Sequence, residues 1–216
     1  MSIGFTNKKT NKTLLHTLNR FFETAEEQCS GMEFYQNLIQ QSFEPILKQL
    51  GFLHDPNIRT SLFLHTDEGF ILQYRHSDDP EFDKKSRNRT IYPISEGIIG
   101  ETYRKNKCLI KNLPDPQKNE DEWIKAQMND KIGKMKTKNA VKNLTMQSRN
   151  ILGLPIRCGH KKHMIIVFES LTPDQIKEKN ISKILKSEHG IILKEVLSMY
   201  RDLIGPAPEY ARQVRM

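Results

Sequence analysis

Tyr92-Pro-Ile-Ser-Glu-Gly-Ile-Ile-Gly-Glu-Thr-Tyr-Arg104, with Lys107-Cys-Leu-Ile-Lys-Asn-Leu-Pro-Asp-Pro116 close behind it, combines a strand end, a short helix, a second short strand and a Pro-bounded loop. Pro93 disfavours a helical conformation at the residue before it, so an extended segment runs at least to Tyr92. Ser95 is then the expected N-cap of a short helix, with Glu96 in its first turn facing the positive end of the helix dipole. Gly97 and Gly100 leave the start of that helix without side-chain bulk, so another backbone or a ligand can approach closely. Cys108, Leu109 and Ile110 form a second short strand, and Leu113-Pro-Asp-Pro116 closes the unit as a loop.

Before this stretch, Ile58 to Thr66 reads as a strand, Asp67-Glu68-Gly69 as a tight turn, and Phe70 to His76 as the antiparallel mate. Both strands carry apolar residues on both faces, which implies a sheet covered by helices on at least one side. Residues 77–89 form a polar connector ending in Lys84-Lys-Ser-Arg-Asn-Arg89, four positive charges in six residues. Earlier still, Leu14, Leu15, Leu18, Phe21, Phe22 and Ala25 recur at helical spacing. Ser30-x-x-Glu33 is a capping box for a second helix with Met32, Tyr35, Leu38, Ile39, Ile46, Leu47 and Leu50 along one side. Pro45 is a candidate kink and Gly51 the expected stop.

After the central stretch, Gln117 to Ser148 holds the only tryptophan, Trp123, and a patchy helical pattern. Lys131 to Arg149 carries six positive residues and no acidic ones. Asn150 to Cys158 and His163 to Ser170 read as a second hairpin, whose continuous apolar runs fit central strands. Thr172-Pro-Asp-Gln175 then gives an N-cap, a Pro at the first helical position and a capping-box Gln, which opens the last helix. The final helix is expected to continue to about Leu203, before Gly205-Pro-Ala-Pro208 and a loose tail.

Together, Glu96-Gly-Ile-Ile-Gly100, Asn106-Lys107 before the short strand, and Leu113-Pro-Asp-Pro116 resemble the GAF family of small-molecule sensor domains. Ile151-Leu-Gly-Leu-Pro-Ile156 and Met164-Ile-Ile-Val-Phe-Glu-Ser170 resemble two further strands of that family, although Lys162 and His163 stand where a small residue is usual. The resemblance covers about residues 55–203. It implies an α+β fold: a GAF-like central antiparallel sheet, N- and C-terminal helices on one face, and a ligand pocket with a helical lid on the other. The expected layout is a flexible N-terminus at 1–10, flanking helices at 11–54, the GAF-like domain at 55–204 and a flexible tail at 205–216. GAF helices commonly build a parallel bundle, so the resemblance also implies a homodimer.

Composition bounds the alternatives. At 216 residues and 37% hydrophobic content, the chain suits one domain with helical extensions and a modest core. It has no long apolar run and no apolar leader at its start, so neither a membrane span nor a secreted protein is expected. Cys29, Cys108 and Cys158 form no disulfide framework and no CxxC site, which fits a cytoplasmic location. The net charge of +8 is compatible with an anionic ligand, anionic lipid or nucleic acid.

No catalytic residue is assigned. One GAF-like enzyme class reduces free methionine sulfoxide with pocket cysteines, but none of the three cysteines here stands in that class's motifs. The Cys-His linkage of bilin-binding members is missing, and Cys158, His160 and His163 lack a fourth ligand for zinc. Phe63-x3-Asp67-Glu68 matches half of a cyclic-nucleotide motif, but in the wrong element. The expected ligand contacts are Ile98, Ile99, Tyr103, Trp123, Lys142 and Arg149, with Lys142 or Arg149 meeting an anionic group. The expected function is a stand-alone regulatory domain that binds a small anionic or nucleotide-like ligand and signals to a separate effector protein. Two alternatives stay open: a dimerisation scaffold with an empty pocket, and a basic nucleic-acid-binding protein. The second lacks a recognisable binding module and aromatic residues among its basic clusters.

Overall fold

A computed structural model describes residues 31–83, 91–129, 137–158 and 161–204. The leading helix from residue 11, the Ser30 cap, the basic run at 84–89, the turn at Gly159-His160 and the tail at 205–216 lie outside these residues. The chain divides into two compact units, residues 1–38 and 39–216. In the first, the described residues are the opening half of helix α1 (Gly31–Leu50), where Phe34 and Tyr35 meet edge to face at 5.3 Å.

The helix α1 runs through Pro45 without interruption and ends at Gly51, whose φ of 72° suits a residue with no Cβ. There Phe52 N–H donates to Leu47 O at 2.8 Å and Gly51 N–H to Lys48 O at 3.1 Å, satisfying carbonyls the helix leaves open. The strands β1 (Ile58–Thr66) and β2 (Gly69–Ser77) form the expected hairpin. A helical turn, α2 (Pro80–Asp83), follows. Then come β3 (Ile91–Tyr92), α3 (Gly97–Lys105) and β4 (Cys108–Ile110). Between β4 and the next strand lie α4 (Glu120–Gln127) and α5 (Lys138–Lys142), capped by the side chains of Asn119 and Thr137. The hairpin β5 (Asn150–Cys158) and β6 (Lys161–Ser170) is followed by α6 (Glu178–Ile184) and α7 (Glu188–Ile204).

The six strands form one antiparallel sheet in the order β3-β2-β1-β6-β5-β4. Consecutive residues of each strand point to opposite faces. On one face, Phe43 of α1 stacks on Tyr74 at 4.9 Å and Phe52 lies against Phe168 at 6.2 Å. On the other, Phe63, Ile151 and Val167 join Ile99 of α3 and Trp123 and Ile124 of α4 in one apolar cluster. The core is therefore two-layered, with the sheet shared between both layers. No helix among the described residues is long and apolar enough to cross a membrane.

Three local expectations are corrected. Ser95 does not cap α3: the N-cap is Glu96, in extended conformation and without a side-chain cap bond. A tight turn, with Glu96 N–H donating to Pro93 O at 3.4 Å, leads into Gly97, whose φ of 63° a residue with a Cβ rarely adopts. Nor does Thr172-Pro-Asp-Gln175 open a helix. Asp174 takes a φ of 57°, and Gln175 is held by Asp55 and Ser170, so α6 begins only after Lys177. The final helix is likewise two helices. It breaks at Lys186–Ser187, where Ser187 Oγ donates to Ile184 O at 2.6 Å and Lys194 Nζ to Leu185 O at 3.0 Å.

Candidate functional site

A cavity of about 120 Å³ opens between the start of α3 and the sheet face that carries Phe63, Ile151 and Val167. Its position follows from the glycine-bearing helix start. A Cβ on Gly100 would lie 2.2 Å from Ile94 O, so this glycine lets α3 press against the turn before it. That contact leaves Ile98 and Ile99 on the cavity wall beside Tyr92, Glu96 and Gly97. Gln127, Leu144, Met146 and Ser148 close the opposite side. Residues of α4 and of the stretch 137–148 thus contribute to the enclosure.

The base of the cavity is charged. In the β1–β6 register Arg59 stands opposite Glu169, and their side chains share the cavity face. Arg59 Nε donates to Glu169 Oε2 at 2.8 Å and Nη2 to Oε1 at 2.9 Å, and Ser148 Oγ adds a third bond at 3.1 Å. The two side chains are only 7% and 14% exposed. Arg75 lines the same wall and is opposite Ser61 in the β1–β2 register, where its Nε donates to Ser61 Oγ at 3.2 Å. Burial first, and then the Arg59 guanidinium, push Arg75 below its ordinary range, while Tyr92 and Glu169 act the other way. Two guanidinium groups therefore share the floor of a largely apolar cavity with the Glu169 carboxylate.

Of the six residues expected from the sequence, Ile98 and Ile99 line this cavity. The other four are placed elsewhere. Tyr103 stacks on His65 at 4.5 Å and meets Phe70 edge-on at 5.6 Å. Trp123, on α4, is fully buried, with Nε1 donating to Ser148 O at 3.1 Å, so it supports a wall residue from behind. Lys142 reaches Glu120 at 3.6 Å and is exposed. Arg149 donates to Leu113 O at 3.2 Å and to Asp115 at 3.4 Å, tying the loop after β4 to the start of β5. The cations at this cavity come instead from β1 and β2. Their signal in the sequence is parity: Arg59, Ser61 and Phe63 alternate on one face, so a charged residue shares the buried side with a phenylalanine.

Among the described residues no group of three His, Cys, Asp or Glu is placed to hold a metal ion. Cys108 is buried, and burial pushes its thiol up to about 11, with nearby Glu101 adding to the shift.

No family model matches the chain, and no curated protein matches it. Solved structures do resemble it. The GAF domain region of a putative membrane protein from Geobacter sulfurreducens matches with a TM-score of 0.47 at 15% identity, over 79% of this chain and 99% of that one. The GAF domain of a two-component sensor histidine kinase from Bacillus halodurans matches at 0.46 and 15%, over 74% and 96%. A free methionine-R-sulfoxide reductase from Neisseria meningitidis, in complex with its substrate, matches at 0.44 and 12%, over 81% and 95%. The six-stranded antiparallel sheet, with flanking helices and α3 over one face, makes this an α+β fold.

Proposed function

We propose that the chain is a regulatory domain that binds a compact ligand with an apolar body and one anionic group in the cavity beneath α3. The observation that carries this reading is the pair Arg59 and Arg75 at the cavity floor, with Glu169 as the carboxylate bonded to Arg59. A buried ion pair is weak support for stability, because desolvating both charges offsets most of their attraction. A second guanidinium beside it adds repulsion, which Glu169 and Tyr92 offset in part and a bound anion would relieve further. Glu96 on the wall disfavours a ligand of high negative charge. A cavity of about 120 Å³ is also far below the ~300–1,000 Å³ of drug-sized sites, which argues against a nucleotide. Ile98, Ile99, Phe63 and Met146 supply the apolar wall.

The reading is one of binding rather than catalysis. Cys108, the cysteine whose side chain is described, is buried with its thiol pushed up, so it offers little thiolate for redox chemistry. The signal would pass by population shift: a ligand that binds one arrangement of α3 and the lid better than another biases that arrangement. In this reading two copies pair through their helices, with Ile191 of α7 exposed for such a contact, and the output goes to a separate protein in the cytoplasm.

Native mass spectrometry of the purified protein, followed by denaturation and analysis of any released molecule, tests this directly. The expected result is a dimer that releases a small organic monoanion. Arg75→Ala should then weaken that ligand by at least tenfold, on the order expected for removing a charged hydrogen-bond partner. Lys142→Ala and Arg149→Ala, outside the cavity, should leave it unchanged. A released ligand without negative charge, or equal losses in all three variants, would overturn the assignment.

A further inference from the structure

We propose that the open trough between β4 and α6 docks an acidic, extended segment of a partner protein. This trough, of about 850 Å³, shares no lining residue with the cavity beneath α3. Leu109 and Lys111 form its β4 wall. They alternate with Cys108 and Ile110, which belong to the cavity-side core, so the trough opens on the opposite face of the sheet. Its other wall carries Lys177, Lys179, Lys183 and Lys186 from α6 and its flanks.

The walls are held together by two ion pairs. Lys107 meets Glu178 at 3.0 Å and Lys111 meets Asp174 at 3.7 Å. These pairs neutralise the β4 side. Lys177, Lys179, Lys183 and Lys186 are exposed and make no ion pair among the described residues. Lys179 and Lys183 stand one helical turn apart, where like charges repel. Four such cations within ten residues of chain make a field that draws an anionic partner.

The lining selects among anions. It has no aromatic ring on which a base could stack and no arginine to read a base edge in a fork. Leu109 is half-buried on the trough wall, an apolar contact that a string of phosphates would not use. Carboxylates for the lysines and an apolar side chain for Leu109 describe a short run of Asp and Glu around a Leu-like residue.

The test is fluorescence anisotropy on the full chain, with a short fluorescein-labelled peptide of Asp and Glu around one Leu. Unlabelled oligothymidylate serves as competitor. Expected is saturable binding that weakens with salt and falls on the order of tenfold in the double variant Lys179→Glu/Lys183→Glu, while circular dichroism stays unchanged. The control Lys48→Glu/Lys118→Glu, with the same change in net charge, should bind like the parent. Equal loss in the control would mean general attraction and overturn the proposal. So would oligothymidylate binding more tightly than the peptide, or no binding of the peptide at low salt.

Discussion

Arg59 and Glu169 meet across the central strand pair with two donors on two oxygens, Nε to Oε2 at 2.8 Å and Nη2 to Oε1 at 2.9 Å. Both side chains are withdrawn from water. Glu169→Gln keeps the shape but leaves the guanidinium buried without its counter-charge, so unfolding by urea should show a loss of about 3–5 kcal/mol. The double variant Arg59→Met/Glu169→Leu removes both charges and should recover most of that loss. If the pair serves the ligand and not the fold, this double variant will be stable and yet bind nothing.

A methyl group has no room at Gly153. Its Cβ would fall 1.9 Å from Thr102 Oγ1, where α3 packs on β5. Gly153→Ala should therefore cost about 1–3 kcal/mol through overpacking. Thr102→Ala on the same chain removes the atom in the way, although its Cβ stays at 3.1 Å. The double variant should be more stable than the two single losses added together, as read from thermal or urea unfolding. Simple additivity would show that α3 does not press on β5 as described.

Cys108 should be slow to alkylate. With its thiol pushed up to about 11, the thiolate is scarce at pH 8, and burial blocks access as well. Iodoacetamide labelling followed by peptide mass spectrometry should leave Cys108 unmodified in the folded protein and label it fully in urea. Rapid labelling of Cys108 in the folded state at neutral pH would restore a redox role to consideration.

Glu101 is buried on α3 with Lys105 and Arg104 as partners. The hydrogen bond from Lys105, and then that from Arg104, hold its carboxyl below the ordinary value of 4.5 despite burial acting the other way. A depressed carboxyl stabilises the fold above its unfolded-state value and loses that contribution as pH falls through the folded one. Stability measured by urea unfolding from pH 6 downward should thus drop more steeply in the parent than in Glu101→Gln once pH passes below 4.5. Parallel profiles would mean that Glu101 is not coupled to its two neighbours.

The strands were legible because their apolar runs are bounded by turn residues, and α3 because two glycines and a proline punctuate it. The break between α6 and α7 was not, since the apolar spacing from Ile181 to Leu203 runs on across Ser187. Thr172 to Gln175 misled for a different reason. The letters of a cap are local, but Gln175 is claimed by Asp55, 120 positions away. The same distinction separates the site residues. Ile98 and Ile99 are near in sequence to the glycines that announce them. Arg59 and Arg75 become cavity residues only through strand register, and an arginine in a strand otherwise reads as solvent-facing. Lys142 and Arg149 looked available because their partners, Glu120 and Asp115, lie across a loop whose path the sequence does not draw.

The central pairing of β1 with β6 joins positions 110 residues apart. Each hairpin, β1 with β2 and β5 with β6, closes across a short turn and can form early. Uniting them means closing the intervening chain, an entropic cost of about 4 kcal/mol for a loop of that length. Until that closure neither face of the sheet is complete, and the floor of the cavity does not exist. Refolding should therefore be slow for a chain of this size, with the rate set by the meeting of the two hairpins. A substitution such as Glu169→Gln, made at that meeting line, would register first in the folding rate if the pair forms in the transition state.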